Sequence, residues 1–218
     1  PLYSSAASDV YKRQVIMEKA GVPLVPGYHG ADQSLETLVE ECKKIGFPVL
    51  VKAALGGGGK GMKVATCEEE CVDAIQSAQR EALSSFSDQR VLLEKYVGSP
   101  RHIEVQVLAD SHGKVLHFYE RDCSVQRRHQ KIVEEGPVTV ASQESLREME
   151  IAACNLARSV GYVGAATVEY LYLLDTNEFC FLELNPRLQV EHPVTEWISG
   201  VNIPSCQVMI GMGIPLWR

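Results

Sequence analysis

The stretch from Glu183 to Glu191, ELNPRLQVE, has a strongly polar side chain at every second position. Alternate side chains of an extended strand point to the same face, so the pattern predicts one face that carries carboxylate, amide and guanidinium groups in a row. A solvated strand face is the alternative, but ionisable groups lined up beside apolar sequence tend to mark functional sites. The residues on that face are Glu183, Asn185, Arg187, Gln189 and Glu191.

A second carboxylate faces this row across a predicted β-hairpin. The segments AATVEYLYL and FCFLEL are rich in β-branched and aromatic residues, and the Asp-Thr-Asn between them is typical of a turn. A hairpin centred on Thr176 places Glu169 opposite Glu183. Like charges in this arrangement destabilise a sheet unless a cation lies between them, and two carboxylates with an amide oxygen from Asn185 suit Mg²⁺ or Mn²⁺. A slip in register would separate the two glutamates.

A run of four glycines follows a buried apolar strand in FPVLVKAALGGGGKGMKVA. Gly56, Gly58 and Gly61 match GxGxxG, but a dinucleotide-binding turn needs a helix next, and the following residues are strand-like. A Walker A loop also fails, because no Ser or Thr follows Lys60. The segment predicts a flap whose backbone N–H groups close over phosphates, with Lys52 as a nearby point charge. A flexible loop without a ligand is the alternative.

A third cluster, YERDCSVQRRHQKIVEE at residues 119–135, is rich in basic side chains. A nucleic-acid surface is one interpretation, but the net charge of -7 and the pI near 5.4 argue against it, because nucleic-acid binders usually carry a basic surplus. A small anionic substrate held by Gln126, His129 and Lys131 fits better, and a solvated charged turn is the alternative. The basic residues are Arg121, Arg127, Arg128, His129 and Lys131.

Four motifs, taken in order along the chain, resemble one family. GGGGKGM, EKYVGSPRHIEVQVL, RDCSVQRRHQK and ELNPRLQVEHPVTE are similar to segments of the biotin carboxylase component of biotin-dependent carboxylases. The similarity runs from about Val15 to Arg218. It implies an α+β chain with the ATP-grasp fold, incomplete at both ends. It also implies an enzyme that uses MgATP to activate bicarbonate as carboxyphosphate and then carboxylates biotin.

The resemblance differs between the two parts of the chain. Residues 15–120 are more similar to carboxylases of the methylcrotonyl-CoA or propionyl-CoA type, and residues 134–218 to eukaryotic acetyl-CoA carboxylase. A join of two transcripts and a homologue of intermediate type would both give this pattern. The sequence therefore leaves the acyl-CoA acceptor open.

The resemblance assigns nucleotide-binding roles to individual residues. Lys52 matches a phosphate-binding lysine, and the glycines match a lid loop over the phosphates. Other residues match a hinge that reads adenine through backbone groups and side chains that line the nucleotide. The glycines are Gly56, Gly57, Gly58 and Gly59, the hinge is Glu94, Lys95 and Val97, and the lining residues are His102, Gln126 and His129.

The metal ligands implied by the resemblance are Glu169 and Glu183, with Asn185 beside them, in agreement with the hairpin count. Lys131 matches a lysine close to bicarbonate and to the phosphoryl group in transfer. The expected cofactors are therefore ATP and Mg²⁺ or Mn²⁺, with biotin as a substrate on a carrier protein or domain.

The bicarbonate pocket implied by the resemblance consists of Arg187, Gln189 and Val190. Arg187 would hold the anion with a bidentate fork. Glu191 matches the general base that deprotonates bicarbonate, a role worth roughly 10²–10⁴-fold in rate.

The partners implied by the resemblance are bicarbonate, a biotinylated carrier domain and a carboxyltransferase domain or subunit, within a dimer or larger complex. Nucleic acid and a membrane span are not expected. Another ATP-grasp ligase, such as carbamoyl-phosphate synthetase, and an inactive nucleotide-binding fragment are the alternatives.

The elements that must position these residues follow from hydrophobic periodicity and capping signals. Ser34 and Gly46 bracket one predicted helix. Helices are predicted at 34–46, 67–84, 143–160 and 200–212, and strands at 91–96, 102–109 and 114–120.

Composition indicates a globular intracellular protein. Of the 218 residues, 45% are hydrophobic, which is enough for a sizeable core. The seven cysteines form no CxxC pair, so we expect reduced thiols in the cytoplasm, the mitochondrial matrix or a plastid.

The expected organisation has four parts. Residues 1–14 resemble an adaptor translation and are expected to be a sequence artefact. Residues 15–29 are expected to be a remnant of the linker from an N-terminal biotin carboxylase domain. Residues 30–96 would form the ATP-grasp lid, and residues 97–218 a truncated core with the metal and bicarbonate site.

Overall fold

The computed structural model shows an α+β protein of two compact units, and the chain passes from the first unit to the second between Gly98 and Ser99. Residues 21–24 also belong to the second unit. Each unit has its own sheet and its own hydrophobic core. The structure describes Met17 and residues 21–55, 61–127 and 130–216.

The first unit contains β1 (Gly27–Tyr28), α1 (Leu35–Ile45), β2 (Val49–Ala53), β3 (Met62–Ala65), α2 (Glu68–Phe86) and β4 (Val91–Lys95). The four strands form an antiparallel sheet in the order β1–β4–β2–β3. The core joins Leu38 of α1 and Ile75 of α2 to Val49, Val51 and Leu93 of the strands. The predicted helices at 34–46 and 67–84 and the strand at 91–96 are confirmed.

The ends of α1 follow their sequence signals. The side chain of Ser34 accepts a hydrogen bond from the backbone N–H of Thr37, which satisfies one of the free donors at the helix start. Gly46 follows the helix with a φ of 78°, a conformation that glycine adopts without strain. Capping chemistry therefore predicted this helix to within one residue at each end.

The second unit contains β5 (Arg101–Ala109), β6 (Val115–Arg127), β7 (Gln130–Glu135), α3 (Gln143–Ser159), β8 (Gly164–Tyr172), β9 (Phe179–Asn185), α4 (His192–Ser199) and α5 (Ile203–Gly211). Its antiparallel sheet has the order β7–β6–β5–β8–β9. The predicted helices at 143–160 and 200–212 are confirmed as α3 and α5. No helix in the described ranges is both long enough and apolar enough to cross a membrane.

Strand alternation gives the five-stranded sheet two different faces. Ile103 and Val105 of β5 belong to the core that also contains Met149 of α3. Two of the intervening residues of β5, Glu104 and Gln106, are polar and yet completely buried. One face therefore packs on α3, and the opposite face carries buried polar groups.

One row of paired residues crosses four strands of this sheet. Arg121 of β6 pairs with Glu104 of β5, Glu104 pairs with Glu169 of β8, and Glu169 pairs with Glu183 of β9. The predicted pairing of Glu169 with Glu183 is thus confirmed. Tyr170, which is nearer the turn, pairs with Phe181, so a β-bulge lies between these two pairs. The symmetric count about Thr176 predicted the pairing of Glu169 with Glu183 but not this bulge.

The prediction of one extended strand as far as Glu191 is wrong, because β9 ends at Asn185. Pro186 follows directly and has no N–H to continue the ladder. Glu191 instead has φ −83° and ψ 1° and caps α4, a helix that the sequence analysis did not predict. The five polar residues therefore do not share one strand face.

The strand expected at 114–120 is longer than predicted, since β6 continues to Arg127 and forms a hairpin with β7. Much of the basic cluster at residues 119–135 therefore lies in a sheet. The alternative of a solvated turn is wrong for Arg121, which has no exposed surface.

Candidate active site

Lys131 lies at the centre of a group of buried carboxylates in the second unit. Its ammonium nitrogen is 2.6 Å from Glu104 Oε2, 2.9 Å from Glu169 Oε1 and 2.5 Å from Glu191 Oε1. None of the three glutamates is more than 6% exposed. Glu104 of β5, Glu169 of β8 and Glu191 at the start of α4 are distant in sequence. All three contact the ammonium of Lys131 on β7.

Glu169 accepts three hydrogen bonds at one oxygen and has the ring of His102 close to the other. Oε1 accepts from Lys131, from Asn185 Nδ2 at 2.9 Å and from Gln189 Nε2 at 3.0 Å. Oε2 lies 2.8 Å from His102 Nε2. Because Gln126 donates to the other ring nitrogen of His102, at 3.0 Å, Nε2 is the nitrogen that carries a proton toward Glu169.

The opposite charges in this group keep Glu169, Glu191 and Lys131 ionised. Burial alone would raise the pKa of Glu169, but the neighbouring His102 ring and the Lys131 ammonium hold that pKa well below its usual range. Burial also opposes ionisation of Glu191, and the Lys131 ammonium outweighs it, so the pKa of Glu191 is lowered. Burial would lower the pKa of Lys131, whereas the charges of Glu104 and Glu169 raise it.

The residues predicted as metal ligands lie together at β8 and β9. Asn185 Nδ2 donates to Glu169 Oε1 at 2.9 Å and to Glu183 Oε1 at 3.1 Å, so one group already bridges both carboxylates. With its amide turned over, Asn185 would complete the all-oxygen donor set that Mg²⁺ prefers. These residues fit a divalent cation, and their role as ligands stays a prediction.

His102, Glu104 and Glu169 also bring ligand atoms within 4.8 Å of one another. The Lys131 ammonium bonds to both of these glutamates, so a cation already occupies the centre of that group. The set formed with Glu183 and Asn185 is the better candidate for a metal ion.

The four residues predicted for the bicarbonate pocket and general base separate into two pairs. Gln189 and Glu191 are buried, at 4% and 6% exposure. Gln189 donates to Glu169, and Glu191 accepts from Lys131. Arg187 is exposed and donates to the carbonyl of Leu188 at 3.2 Å. Val190 is 86% exposed. The loop between β9 and α4 therefore turns alternate residues inward and outward, and the roles of all four stay predictions.

The predicted nucleotide residues of the first unit include a lysine–glutamate pair. Lys52 Nζ lies 2.5 Å from Glu94 Oε1, on the neighbouring strands β2 and β4. Lys95 donates to the carbonyls of Gly46 and Phe47, at 2.9 and 2.8 Å, where its charge suits the end of α1. Its side chain is thus engaged within the unit, in keeping with a hinge that is read through backbone groups. Val97 follows β4 and is half-buried.

The glycine loop is described only at its end. Gly56, Gly57, Gly58 and Gly59 lie outside the described residues, and so does His129. Gly61 has a φ of 69°, and a Cβ there would come within 2.9 Å of the Ala53 Cβ, so this position requires glycine. The Gly61 N–H donates to Glu81 Oε1 at 2.9 Å, which ties the end of the loop to α2.

Sequence reasoning missed Glu104 as a site residue and assigned Arg121 only to a basic cluster. The signal for Glu104 was available, since His102, Glu104 and Gln106 alternate with apolar residues along β5. Nothing in the local pattern distinguishes Arg121 from the exposed Arg127 of the same basic cluster. Its burial depends on acceptors that lie 15 to 74 residues away along the chain.

Comparison with known families settles the relationship. A model of the family described as "Carbamoyl-phosphate synthase L chain, ATP binding domain" matches residues 9–218. The chain belongs to this family. Its residues also match the α subunit of mitochondrial methylcrotonoyl-CoA carboxylase from Dictyostelium discoideum, with 55% identity over 195 residues. Acetyl-CoA carboxylase 2 from Oryza sativa subsp. japonica matches with 54% identity over 183 residues.

Methylcrotonyl-CoA carboxylase and acetyl-CoA carboxylase are the types that the first and second parts of the sequence resemble. Each of these two relatives nevertheless matches most of the chain. The first alignment covers 89% of the chain and 28% of the relative, and the second 84% of the chain and 8% of the relative. The chain thus spans about a quarter or less of the length of these relatives.

Solved structures give the fold. A biotin carboxylase–β,γ-ATP complex from Campylobacter jejuni superposes with a TM-score of 0.92 and 43% identity, over 98% of this chain and 48% of that one. The biotin carboxylase domain of 2-oxoglutarate carboxylase from Hydrogenobacter thermophilus, in complex with MgADP, ADP and bicarbonate, gives 0.90 and 41%, over 98% and 47%. The fold is the ATP-grasp fold of biotin carboxylases, as predicted.

Proposed function

We propose that the full-length protein carrying this sequence uses MgATP to activate bicarbonate and then carboxylates biotin. The observation that supports it best is the Lys131 ammonium held by Glu104, Glu169 and Glu191, which brings a half-buried cation and a buried ionised carboxylate together. Relatives that are biotin carboxylases, one of them solved with bicarbonate, also support it.

The proposed chemistry needs a base and a cation at one place. Glu191 takes the proton of bicarbonate, and the bicarbonate oxygen then attacks the γ-phosphorus of ATP, whose bond to the β-phosphate oxygen breaks to release ADP. Phosphoryl transfer depends on positioning and charge neutralisation more than on covalent help. Lys131 is the residue that would offset charge on the transferring group.

Glu169, Glu183 and Asn185 are the residues that would hold the metal ion. A divalent cation bound there would neutralise phosphate oxygens of the nucleotide. Gln189 and Arg187 are proposed to bind bicarbonate, with the backbone at Val190. In the free protein Arg187 is exposed, so its part requires it to turn toward the anion when bicarbonate binds.

Lys52, Glu94, Lys95 and Val97 of the first unit are proposed to bind the nucleotide, together with the glycines at 56–59. His102, Gln126 and His129 are proposed to line it from the second unit. The first unit would then act as the lid and the second as the ATP-grasp core, as the sequence suggests.

The whole protein is proposed to work with a biotinylated carrier domain and a carboxyltransferase, as a dimer or larger complex inside the cell. The mitochondrial methylcrotonoyl-CoA carboxylase relative makes the mitochondrial matrix one candidate compartment. The acyl-CoA acceptor belongs to the carboxyltransferase and is left open.

The test is release of ADP by the full-length protein with MgATP. We expect release that depends on bicarbonate and rises with free biotin. Release that responds to ammonia instead of biotin would favour a carbamoyl-phosphate synthetase, and no bicarbonate dependence would contradict the proposal.

A further inference from the structure

Arg121 is the largest side chain that the described structure buries completely. A guanidinium has five N–H groups, and in Arg121 each of them has an acceptor. Because this side chain has no exposed surface, it cannot touch a bound substrate, and any part it takes in the reaction passes through its neighbours. Nε donates to Glu104 Oε1 at 2.8 Å, Nη1 to Gln106 Oε1 at 3.0 Å and Thr195 Oγ1 at 2.7 Å, and Nη2 to Thr167 Oγ1 at 3.4 Å and Gln189 Oε1 at 3.3 Å.

The acceptors belong to separate elements of the second unit. Glu104 lies on β5, Thr167 on β8, Gln189 in the loop after β9 and Thr195 on α4. Thr195 lies one turn after Glu191, the N-cap of α4, so both are on the same side of that helix start. By holding Thr195, Arg121 fixes the position of the helix end that carries Glu191.

The contact with Gln189 fixes the direction of an amide. Since Gln189 Oε1 accepts from Arg121, its Nε2 points the other way and donates to Glu169 Oε1 at 3.0 Å. Without Arg121 the amide could rotate by half a turn and place its oxygen against the Glu169 carboxylate. The hydrogen bond that Gln189 donates to Glu169 therefore depends on Arg121.

The contact with Glu104 divides the charge of the cluster. Glu104 accepts from Arg121 at Oε1 and from Lys131 at Oε2. Arg121 thus offsets much of the Glu104 charge and leaves Lys131 to interact with Glu169 and Glu191. Without it, Glu104 would draw the ammonium toward β5 and away from Glu191.

We propose that Arg121 is a positioning residue for bicarbonate activation, which orients Gln189 and anchors the helix start that carries Glu191. The inference rests on the function proposed above. A purely structural tie is the competing role. A structural tie would change stability alone, whereas a positioning residue changes the use of bicarbonate in protein that remains folded.

The experiment compares three variants of the full-length protein. Arg121→Lys keeps the charge but not the planar fork. Thr195→Val keeps the shape of α4 and removes one acceptor. Arg101→Lys is the matched control, because Arg101 pairs with Asp122 on the same strands, β5 and β6, through Nε at 3.0 Å and Nη2 at 2.5 Å. Folded fractions are checked by urea unfolding, and steady-state rates are measured against bicarbonate at saturating MgATP.

We expect Arg121→Lys to lower kcat/KM for bicarbonate by about 10²-fold, since misplacement by about 1 Å has that effect. Thr195→Val should lower it by about tenfold, in line with loss of one hydrogen bond. Arg101→Lys should leave it unchanged. The Kd of MgATP should stay within about threefold in all three variants, because none of the substituted residues is proposed to bind the nucleotide.

Three results would overturn the inference. If the unsubstituted protein shows no bicarbonate-dependent ADP release, the proposed function fails and the inference fails with it. If that protein is active but Arg121→Lys matches Arg101→Lys in kcat/KM for bicarbonate, the inference alone is wrong. Should Arg121→Lys not fold, Thr195→Val decides, since a tenfold loss supports positioning and an unchanged value contradicts it.

Discussion

The two faces of the five-stranded sheet both bury carboxyl groups, but the charge state of these groups differs between the faces. On the site face Glu104, Glu169 and Glu191 surround Lys131. On the α3 face Glu120, which is 4% exposed, hydrogen-bonds to Glu150 of α3. Burial and the neighbouring Glu150 carboxyl raise the pKa of Glu120 to about 8. Glu169 and Glu191 are therefore held ionised, whereas Glu120 retains a proton at neutral pH.

The difference teaches that burial does not by itself decide the charge of a carboxyl group in this protein. Desolvation opposes ionisation on both faces, but on the site face the half-buried Lys131 ammonium and the buried Arg121 guanidinium lie beside the carboxylates. A general base must be ionised to accept a proton, so the cations serve the proposed chemistry as well as stability.

Lys131→Met should have the largest effect, because it leaves three buried carboxylates without their shared cation. We expect the free energy of unfolding to fall by about 3–5 kcal/mol at pH 7. Turnover should fall by about 10³-fold. Urea unfolding at pH 5 and pH 8 measures the first effect. The deficit should be smaller at pH 5, where the carboxyls that have lost the cation begin to take up protons, and an equal deficit at both values would contradict this account.

Glu191→Gln should separate catalysis from binding. The change keeps the size of the side chain and removes the base, so bicarbonate-dependent turnover should fall by about 10²–10⁴-fold. The Kd of MgATP should change little, because Glu191 is proposed to act on bicarbonate alone. Isothermal titration with the nucleotide and a steady-state assay test both parts, and an unchanged rate would exclude Glu191 as the base.

Glu120→Gln tests the opposite face. A group whose folded pKa is raised stabilises the fold below its unfolded pKa, near 4.5, and loses that contribution as the pH rises through about 8. The wild type should therefore lose stability between pH 5 and pH 9. The variant should be more stable than wild type by about 1–2 kcal/mol at pH 9 and nearly equal to it at pH 5.

Turnover of the Glu120→Gln variant serves as its control. Glu120 contacts α3 and lies on the face away from Lys131, so activity at pH 7 should stay near the wild-type value. A variant that has the same pH dependence of stability as the wild type would show that Glu120 does not titrate as described.

Lys43→Met should have the smallest effect on stability. It serves as the exposed control for Lys131→Met. Lys43 lies 2.6 Å from Glu68, but both side chains are about half exposed, at 48% and 57%. Exposed ion pairs are screened by solvent and contribute little, so the same chemical change that is severe at Lys131 should cause no measurable loss of stability here. A loss comparable with that of Lys131→Met would mean that burial and charge sharing do not explain the comparison.

The sequence predicted the local parts of this structure well. Helix ends follow from capping residues such as Ser34 and Gly46, and the pairing of Glu169 with Glu183 follows from a short turn. The ATP-grasp fold followed from motifs in a recognised order. The first two signals are local or span one hairpin, whereas the fold was predicted from the resemblance to a family.

What could not be predicted depends on contacts distant in sequence. Glu104 meets Glu169 because β5 pairs with β8, and Arg121 meets Thr195 across 74 residues. The start of α4 was also missed, because ELNPRLQVE satisfies a strand pattern until Pro186 interrupts the ladder. An alternating pattern reports side-chain polarity and does not report where the backbone turns.

The central claim is that bicarbonate, and not water, attacks ATP at the site formed by Lys131 and Glu191. The most direct test supplies the full-length protein with MgATP, biotin and bicarbonate labelled with ¹⁸O, and analyses the released phosphate by mass spectrometry. Attack by bicarbonate makes a bond from its oxygen to phosphorus, so the account predicts phosphate that carries one labelled oxygen. Unlabelled phosphate, formed at the same rate as ADP, would show attack by water and contradict the account.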